Sequence, residues 1–454
     1  MRGEGKTAYS MTNVLEKMKL IFSCKYGLAN LVSFNTEKEH IRVKNDSSFF
    51  TVGNVIPMYR TYVNSTNAAF TRGGCGTALS KEKSQVKAFG EFIERFCGSN
   101  SFGDHDLQVE YNTYADQKKK GDCLDLFELI DFDDNAYNNH DIEIYRYTHD
   151  KVVSWVKGVE ITNKRDAWVP AQKAFLGMRL LNGELPHLQW LSTGLACGSS
   201  YHRALIGGIY EVVERDSFML TWQLRLHGTR IVIDQIKNPS LEKLYTHINN
   251  YIVGDDKLFI YDISRTNGIY TVLTFIRNDN PDSYGLITSA ASDIDPEKAL
   301  LKSLEELCST QSFGYSTLLK GENIHLMEKT DVIDLHKHLF YYGTGRNSHE
   351  FDFIDDADLS INLSDMTRHA EGFEDSATLA YIIDLFKKQK RPIYVVDVTR
   401  QEIAECGLYV ARTVIPGYND LEVSHNMRLL ANKRLTEFKD MYKRAINDAP
   451  HPFP

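Results

Sequence analysis

Apolar residues recur every three or four positions in two stretches of the chain, and this spacing predicts an α-helix with one buried face. The apolar positions are Val86, Phe89, Ile93 and Phe96 in the first stretch, and Ile206, Ile209, Tyr210 and Val213 in the second. A turn of small residues precedes each stretch, at 72–76 and 192–198, and serine N-cap candidates follow, Ser80 in the first case and Ser199 or Ser200 in the second. The two predicted helices therefore begin in the same way.

A third helix is predicted to begin at Asp295-Pro296-Glu297, because Asp is favourable as an N-cap, Pro as the first helical residue and Glu in the first turn. A long charged helix is predicted over 422–446, and residues 11–60 are predicted to form a helix followed by short strands. Runs rich in β-branched and aromatic residues predict strands at 231–236, 257–263, 269–276, 285–291, 392–398 and 407–417. Strands that alternate with helices predict a mixed α/β fold.

Composition narrows the class of protein. The chain has 454 residues, of which 42% are hydrophobic and 25% charged, as in a folded globular protein. The net charge of -9 argues against nucleic-acid binding, since no basic excess is present. The cysteines are odd in number and form no CxxC pair, which predicts a reducing, cytoplasmic location. No apolar run approaches the roughly 20 residues of a membrane span, and no signal peptide is expected.

The chemistry is carried by a motif that occurs twice. Glu91, Glu94 and Arg95 form one ExxER sequence, and Glu211, Glu214 and Arg215 form the other, each on one of the paired helices. Positions i and i+3 share a helix face, so each motif projects two carboxylates to one side. Two such faces brought together would repel unless divalent cations were present, and Mg²⁺ combines carboxylates with substrate phosphates. Glu306, on the third helix, could add a carboxylate. Composition and spacing leave open that both motifs are ordinary solvated helix faces.

Several blocks together resemble the YcaO family. They are 79–96, 192–218, 295–311 and 395–417, in the family's order, followed by the proline-rich end of the chain. The resemblance covers about residues 66–454. It implies a single large ATP-binding catalytic domain, with helices packed on mixed β-sheets, after an N-terminal segment (1–65) of unclear role.

The resemblance also implies the site. Glu91, Glu94, Glu211 and Glu214 match the positions that hold Mg²⁺. For ATP, the matching or neighbouring residues are Glu91, Glu211, Glu306, Arg95 and Lys87. The chain departs from the family pattern at Thr77, Lys87 and Ser309, which leaves open a non-catalytic scaffold or regulatory subunit that binds nucleotide without turnover.

The end of the chain indicates a branch of the family. Pro450, Pro452 and Pro454 alternate, which favours an extended segment. In azoline-forming members a similar terminus enters the active site, so these three prolines are the predicted catalytic segment, with the carboxylate of Pro454 as a proton acceptor. The resemblance is to the separate D proteins of thiazole/oxazole-modified peptide pathways, including those that make streptolysin-like toxins. An enzyme that forms thioamides or amidines is the alternative interpretation of the activity. For the tail, the alternative is a frayed terminus without a function.

In that branch the enzyme is an ATP-dependent cyclodehydratase that converts Cys, Ser or Thr of a ribosomal precursor peptide into thiazolines or oxazolines. The partners this implies are the precursor peptide, a leader-binding protein that resembles ubiquitin-activating enzymes, and a flavin-dependent azoline dehydrogenase. No nucleic acid or membrane is expected, and a homodimer is left open.

Overall fold

The computed structural model describes residues 29–35, 40–45, 48–54, 56–65, 73–100, 107–252, 254–279, 285–319, 327–343, 345–355, 357–369 and 372–453. The helix predicted at the start of 11–60 lies outside these residues, whereas the short strands predicted after it are present. None of the helices in the described ranges is both long and apolar enough to cross a membrane.

The strands and helices alternate irregularly along the chain. The strands are β1 (Ala29–Asn35), β2 (His40–Asn45), β3 (Ser48–Asn54), β4 (Tyr59–Ser65), β5 (Gly73–Ala78), β6 (Ser99–Asn100), β7 (Val109–Asn112), β8 (Val153–Glu160), β9 (Arg165–Pro170), β10 (Gly177–Met178), β11 (Leu195–Gly198), β12 (Thr229–Val232), β13 (Lys257–Asp262), β14 (Tyr270–Arg277), β15 (Leu286–Asp293), β16 (Ser360–Asn362), β17 (Tyr394–Asp397) and β18 (Tyr409–Val414). The helices are α1 (Lys81–Gly98), α2 (Tyr114–Lys118), α3 (Ala171–Ala174), α4 (Tyr201–Gln223), α5 (Pro239–Tyr251), α6 (Pro296–Leu319), α7 (Leu335–Tyr341), α8 (Asp375–Lys388), α9 (Gln401–Glu405) and α10 (Lys433–Tyr442).

Two sheets form the framework. One has the strand order β15-β14-β13-β12-β16 and is mixed, because only the β12–β16 pair is parallel. The other has the order β11-β18-β17-β8-β7, with β9 also paired to β8, and all of its pairs are antiparallel. A third, smaller sheet joins β1, β4 and β5. The expected α/β class with mixed sheets is therefore confirmed.

Helix α4 lies at the centre of the molecule. Its first half packs Ile209 and Val213 into a core shared with α8, β17 and β18. Its second half packs Phe218 and Trp222 into a core shared with β13, β14 and β15. Helix α1 packs Phe89 and neighbouring residues against β5 and the β11 edge of the antiparallel sheet, and α6 packs on the mixed sheet beside α5. The three helices of the sequence analysis therefore meet the two sheets from different sides.

The predicted helix starts are confirmed by their caps. The hydroxyl of Ser80 accepts a hydrogen bond from the backbone N–H of Lys83 at 3.2 Å, and that of Ser200 from Arg203 at 3.1 Å, so Ser200 rather than Ser199 is the cap of α4. Oδ1 of Asp295 accepts from the backbone N–H of Glu297 at 2.9 Å. Each cap satisfies a backbone donor that the helix itself cannot.

The long helix predicted over 422–446 is wrong, because only Lys433–Tyr442 is helical. The preceding segment is held to the body of the protein by side-chain hydrogen bonds instead. The buried carboxylate of Glu422 accepts from Nε2 of Gln223 at 2.7 Å and from the backbone N–H of Leu429 at 3.2 Å. Asn432 then caps α10 by accepting from the backbone N–H of Leu435 at 2.9 Å. Such side-chain to backbone bonds compete with helix formation. The strand predicted at 231–236 also differs, since β12 is Thr229–Val232.

Residues before position 66 contact the rest of the chain directly. Strand β4 pairs with β5, so backbone hydrogen bonds cross the boundary drawn at 65/66. The buried Arg60 donates from Nη2 to the carbonyl of Cys308 in α6 at 2.8 Å. The part 56–65 therefore packs against the domain proposed to begin at residue 66.

A buried ion pair fixes α4 to the C-terminal region. Asp216 is fully buried, and its Oδ2 accepts from Nε of Arg434 at 2.7 Å while Oδ1 accepts from the backbone and side-chain N–H groups of Asn419 at 3.0 and 2.7 Å. Replacing Asp216 by Ala would leave the charge of Arg434 buried without a partner. We therefore expect Asp216→Ala to lower the free energy of unfolding by about 3–5 kcal/mol in urea denaturation.

The matched control for this variant is Asp384→Ala, which removes the partner of Lys388 from an exposed pair on α8. Its cost should be below about 1 kcal/mol. Equal losses of stability in the two variants would contradict the anchoring role of Asp216.

Candidate active site

The first glutamate of the motif on α1 is tied to the strand before the helix. Oε2 of Glu91 accepts from the backbone N–H of Cys75 at 2.5 Å, and Oε1 forms an ion pair with Arg95. Arg95 also donates from Nη1 to the carbonyl of Gly73 at 3.1 Å. This close approach needs a small residue in β5, because a Cβ at Gly74 would lie 2.2 Å from the carbonyl oxygen of Ala88.

The motif on α4 repeats the same construction. Oε2 of Glu211 accepts from the backbone N–H of Gly194 at 2.9 Å, and Oε1 lies 2.6 Å from Nη2 of Arg215. Arg215 also donates from Nη1 to Oγ1 of Thr193 at 3.1 Å. Gly194 has a φ of +84°, and a Cβ there would meet the carbonyl oxygen of Thr413 at 2.1 Å, so the turn requires glycine. In both copies the preceding turn and the arginine hold the first glutamate.

The second glutamate of each motif has no such support. Among the described residues, no hydrogen bond or ion pair to the carboxylates of Glu94 and Glu214 is found. Both side chains are half-buried. Burial, and then the charges of Glu211 and Glu91, hold the pKa of Glu94 well above its ordinary value. Burial raises the pKa of Glu214 to about 8; Arg215 opposes the rise, while Glu211 and Glu306 add to it. These two carboxylates are the available ligands of the site.

The carboxylates of the two motifs converge with a third helix. Burial raises the pKa of Glu91. The charge of Arg95 and the hydrogen bond from the Cys75 N–H oppose this rise, whereas the charges of Glu306 and Glu211 increase it. The carboxylates of α1, α4 and α6 thus lie near enough for their charges to act on one another, and they face a common space. The structure thus brings together Glu91, Glu94, Glu211, Glu214 and Glu306.

Lysines from α1 cover the α6 side of this space. Nζ of Lys87 lies 2.9 Å from Glu305 and 3.4 Å from Glu306, and Nζ of Lys83 lies 2.5 Å from Glu305. Burial alone would lower the pKa of Lys87, but Glu306 and Glu305 outweigh it and raise the pKa. Glu305 is buried and ion-paired with both lysines, whereas the Glu306 side chain is 58% exposed. Glu306 is therefore the freer acid of α6, with Lys87 beside it.

Two further cations beside the site were missed by sequence reasoning. Lys302 lies one turn before Glu306, and its Nζ is 2.8 Å from Asp293; its charge lowers the pKa of Glu214. The fully buried Arg412 donates to the carbonyls of Lys173 and Leu191 at 2.7 and 2.6 Å and interacts with Glu211 and Glu94. The i, i+4 spacing to Glu306 could have found Lys302. No local signal points to Arg412, which lies in the strand β18.

Two positions where the chain departs from the family pattern contact each other. Oγ1 of Thr77 in β5 donates to Oγ of Ser309 in α6 at 3.1 Å. The third departure, Lys87, pairs with Glu305 on the same helix α6. The departures therefore lie together where β5, α1 and α6 meet.

The donor set fits Mg²⁺ bound together with phosphate. Within the described ranges, no three His, Cys, Asp or Glu side chains lie close enough to hold a metal ion by themselves. Mg²⁺ is usually held by one or two carboxylates and completed by phosphate oxygens and water, so it does not need a third acid. Glu94 and Glu214 are half-buried, and neighbouring carboxylates repel the charge of each. Their oxygen atoms are ligands of the kind that Mg²⁺ requires.

The predicted tail is buried next to this site. Pro450 and Pro452 are buried, and the ring of Phe453 packs 4.7 Å from that of Phe218. Phe218 follows Glu214 by one turn of α4, so Phe453 contacts the helix one turn beyond that glutamate. Pro454 lies outside the described residues. The alternative of a frayed terminus is wrong for 449–453.

The raised pKa of Glu214 predicts how stability depends on pH in the absence of metal. An acid whose pKa rises from about 4.3 in the unfolded chain to about 8 in the folded chain costs stability as the pH increases through that window, and nothing below it. Glu214→Gln should therefore be more stable than the unchanged chain at pH 8, by on the order of 2 kcal/mol after allowance for partial exposure, and equal at pH 4.5. Urea denaturation in the presence of a chelator measures this.

Glu242→Gln, an exposed position on α5, is the control for removal of a charge and should show no such difference. If Glu214→Gln were less stable than the unchanged chain at pH 8, the raised pKa of Glu214 would be contradicted.

Comparison with known proteins identifies the fold. A family profile described as a YcaO cyclodehydratase that binds ATP and Mg²⁺ matches residues 75–419. An uncharacterised protein of Methanothermobacter thermautotrophicus is 24% identical over 280 residues, which cover 58% of this chain and 65% of that protein. The chain thus spans just under two thirds of the length of this relative.

Solved structures share the fold at low sequence identity. A heterocyclase in complex with substrate and cofactor is 17% identical with a TM-score of 0.74, covering 98% of this chain and 57% of its own. The YcaO protein of Methanopyrus kandleri, bound to AMPPCP and Mg²⁺, is 17% identical with a TM-score of 0.60 over 90% of both chains. A chain of the E. coli microcin synthetase complex with pro-MccB17 bound is 16% identical with a TM-score of 0.50, over 79% of this chain and 85% of its own.

The profile covers well over half of the residues and includes both ExxER motifs, α6 and β18. The chain belongs to the YcaO family, and its cofactors are ATP and Mg²⁺.

Proposed function

We propose that this chain is an ATP-dependent cyclodehydratase that forms thiazolines or oxazolines in a ribosomal precursor peptide. The observation that carries the proposal is the meeting of two identically built ExxER motifs, in which the first glutamate is tied to the protein and the second is left without a partner. Such an arrangement suits Mg²⁺ and the phosphates of ATP, because both relieve the repulsion of the acids.

Each residue has a role that follows from its contacts. Glu94 and Glu214 are the primary Mg²⁺ ligands, with Glu91 and Glu211 beside them. Arg95 and Arg215 orient the first glutamates, since each is bound both to its glutamate and to the preceding turn. Lys87 and Lys302 flank the space and can face phosphate oxygens, and Glu306 completes the ATP site.

In the proposed reaction a Cys, Ser or Thr side chain of the substrate attacks the preceding backbone carbonyl carbon. This attack closes the ring. ATP, when bound, would supply the phosphoryl group that makes the former amide oxygen a leaving group, and phosphate would depart as the ring C=N bond forms with loss of the amide N–H proton. The protein contributes positioning and charge neutralisation. The carboxylate of Pro454 accepts a proton, which favours ring formation over thioamide or amidine formation.

The partners are proposed on the same basis. Precursor recognition would come from a leader-binding protein that resembles ubiquitin-activating enzymes, and a flavin-dependent dehydrogenase would oxidise the rings. The solved E. coli microcin synthetase complex with pro-MccB17 bound supports a peptide substrate and partner subunits in this family. Full-rate cyclisation of a leader-bearing peptide by the isolated chain would contradict the need for a leader-binding partner.

One observation favours the alternative of a nucleotide-binding scaffold. Lys87 is engaged by Glu305 and Glu306, so this cation is not free for phosphate in the present arrangement. A chain that binds Mg·ATP but hydrolyses none in the presence of peptide and partner would establish the scaffold instead.

Glu94→Gln and Glu214→Gln should each lower ATP turnover by about 10²-fold or more while the chain stays folded, because each removes a metal ligand. Neither substitution breaks a hydrogen bond within the described part of the chain, so folding should be preserved. Turnover is measured as phosphate release with peptide and partner present, and folding by thermal melting.

Glu82→Gln, exposed in the first turn of the same helix α1, is the matched control and should retain full turnover. Native turnover in both Glu94→Gln and Glu214→Gln would reject the metal assignment.

The role of the tail is tested by appending a few residues after Pro454. The extension moves the carboxylate but removes no side chain, so ring formation, seen as loss of one water per ring by mass spectrometry, should fall to background while Mg·ATP binding is unchanged. Deletion of 452–454 is a poorer test, because Pro452 and Phe453 are buried and their loss would also disturb packing. Cyclisation at the native rate by the extended chain would remove the reason for preferring azoline formation.

A further inference from the structure

Four consecutive carbonyl groups of the tail each accept a hydrogen bond from a different side chain. The donors are Nε1 of Trp222 to Ala449 at 3.0 Å, the hydroxyl of Tyr342 to Pro450 at 2.5 Å, Nδ1 of His338 to His451 at 2.9 Å and Oγ1 of Thr288 to Pro452 at 3.0 Å. We call these four side chains the tail cradle. All four of these hydrogen bonds are to the backbone of the tail and none is to its side chains.

The alternating prolines explain why the tail can be buried in this way. A buried backbone N–H without a partner is costly, and proline has none, so Pro450 and Pro452 bring no donor that must be satisfied. Their carbonyl oxygens, and those of Ala449 and His451, still need donors, which the cradle supplies. The ring of His451 is held separately by a hydrogen bond between its Nε2 and the carbonyl of Glu422 at 2.9 Å.

The cradle joins α4, which carries the second motif, to β15 and α7. Trp222 lies on α4, which carries Glu211 and Glu214. Thr288 lies on β15 and is followed by Ser289, whose carbonyl accepts a hydrogen bond from Ser303 on α6 at 3.2 Å. His338 and Tyr342 belong to α7 and its C-cap, one turn apart. A shift of the tail relative to the glutamates would therefore break bonds to several elements at once.

His338 must carry its proton on Nδ1 in order to donate to the carbonyl of His451. Its ring stacks on that of His451 at 3.7 Å, and both rings are buried. Burial, with the neighbouring His451, keeps the pKa of His338 well below its ordinary value, so the neutral ring is the relevant form. The donor is thereby fixed as one tautomer.

We propose that Trp222, Thr288, His338 and Tyr342 are positioning residues for ring closure: they hold residues 449–452 in one register against α4, β15 and α7. The proposal rests on the proposed function of the Pro454 carboxylate. Phe453 packs on Phe218, which lies one turn of α4 after Glu214, so the register of the tail sets where the chain leaves the cradle.

The test compares Tyr342→Phe with Tyr341→Phe in the full chain. Tyr342→Phe deletes one cradle hydroxyl, whereas Tyr341→Phe makes the same chemical change at the adjacent buried position, which makes no hydrogen bond to the tail in the described ranges. Tyr342→Phe and Thr288→Val should lower kcat for ring formation by between about 10- and 100-fold, the range expected for small misplacement of a reacting group. Tyr341→Phe should be unchanged.

Readouts other than activity separate positioning from folding. The Kd for Mg·ATP and the KM for the peptide should stay within about twofold of the unchanged chain, with assays well below each variant's Tm. His338→Asn should retain most activity whereas His338→Leu should not, because the amide N–H of Asn occupies the place of Nδ1–H. Loss of Mg·ATP binding in parallel with kcat, or equal activity of His338→Asn and His338→Leu, would overturn the positioning role.

The outcome is distinguishable from failure of the proposed function. If the extension after Pro454 abolishes ring formation while Tyr342→Phe and Thr288→Val cyclise at the native rate, the cradle proposal is overturned and the tail function stands. If the extended chain cyclises normally, the tail function fails and the cradle proposal falls with it.

Discussion

Repulsion between half-buried carboxylates is the constraint around which this structure is arranged. Helices α1, α4 and α6 direct acidic side chains into one space, and burial makes their charges expensive. Arg95 and Arg215 relieve the first glutamate of each motif, and backbone N–H groups of the preceding turns assist them. The same solution appears twice because the same local sequence, a small-residue turn followed by a capped helix, is used twice. What is left over, Glu94 and Glu214, is the part of the site that can serve a ligand.

Helix α4 links this constraint to the stability of the whole chain. Within about three turns it carries the glutamates of the second motif, the buried Asp216 and the apolar residues Phe218 and Trp222 that meet the tail. Adjacent faces of this helix thus carry the motif glutamates, the carboxylate that binds the C-terminal region, and the aromatic side chains that contact the tail. Because these faces belong to one rigid element, the distance between the tail and the glutamates is set by the helix rather than by loops.

The family relationship accounts for the framework, and the residues of this chain account for its particular site. At identities of 16–17% the solved structures share the fold of this chain, while most side chains differ. At the junction of β5, α1 and α6 this chain instead has Thr77 bonded to Ser309, and Lys87 paired with α6 acids. The α6 side of the space therefore carries lysines: Lys87 lies beside Glu306, and the charge of Lys302 opposes the rise in the pKa of Glu214.

The sequence by itself determined what depends on neighbours along the chain. Helical spacing and caps gave α1, α4 and α6 with their starts, and the i, i+3 spacing put each glutamate pair on one face. It failed at 422–446, where the buried Glu422 bonds to Gln223 on α4, a residue some 200 positions away. The convergence of the motifs, the cations Lys302 and Arg412, and the side chains that hold the tail were decided only by tertiary structure. Their partners are distant in sequence, and burial, which raises the pKa of Glu94 and requires a donor for every tail carbonyl, exists only once the sheets and helices have packed.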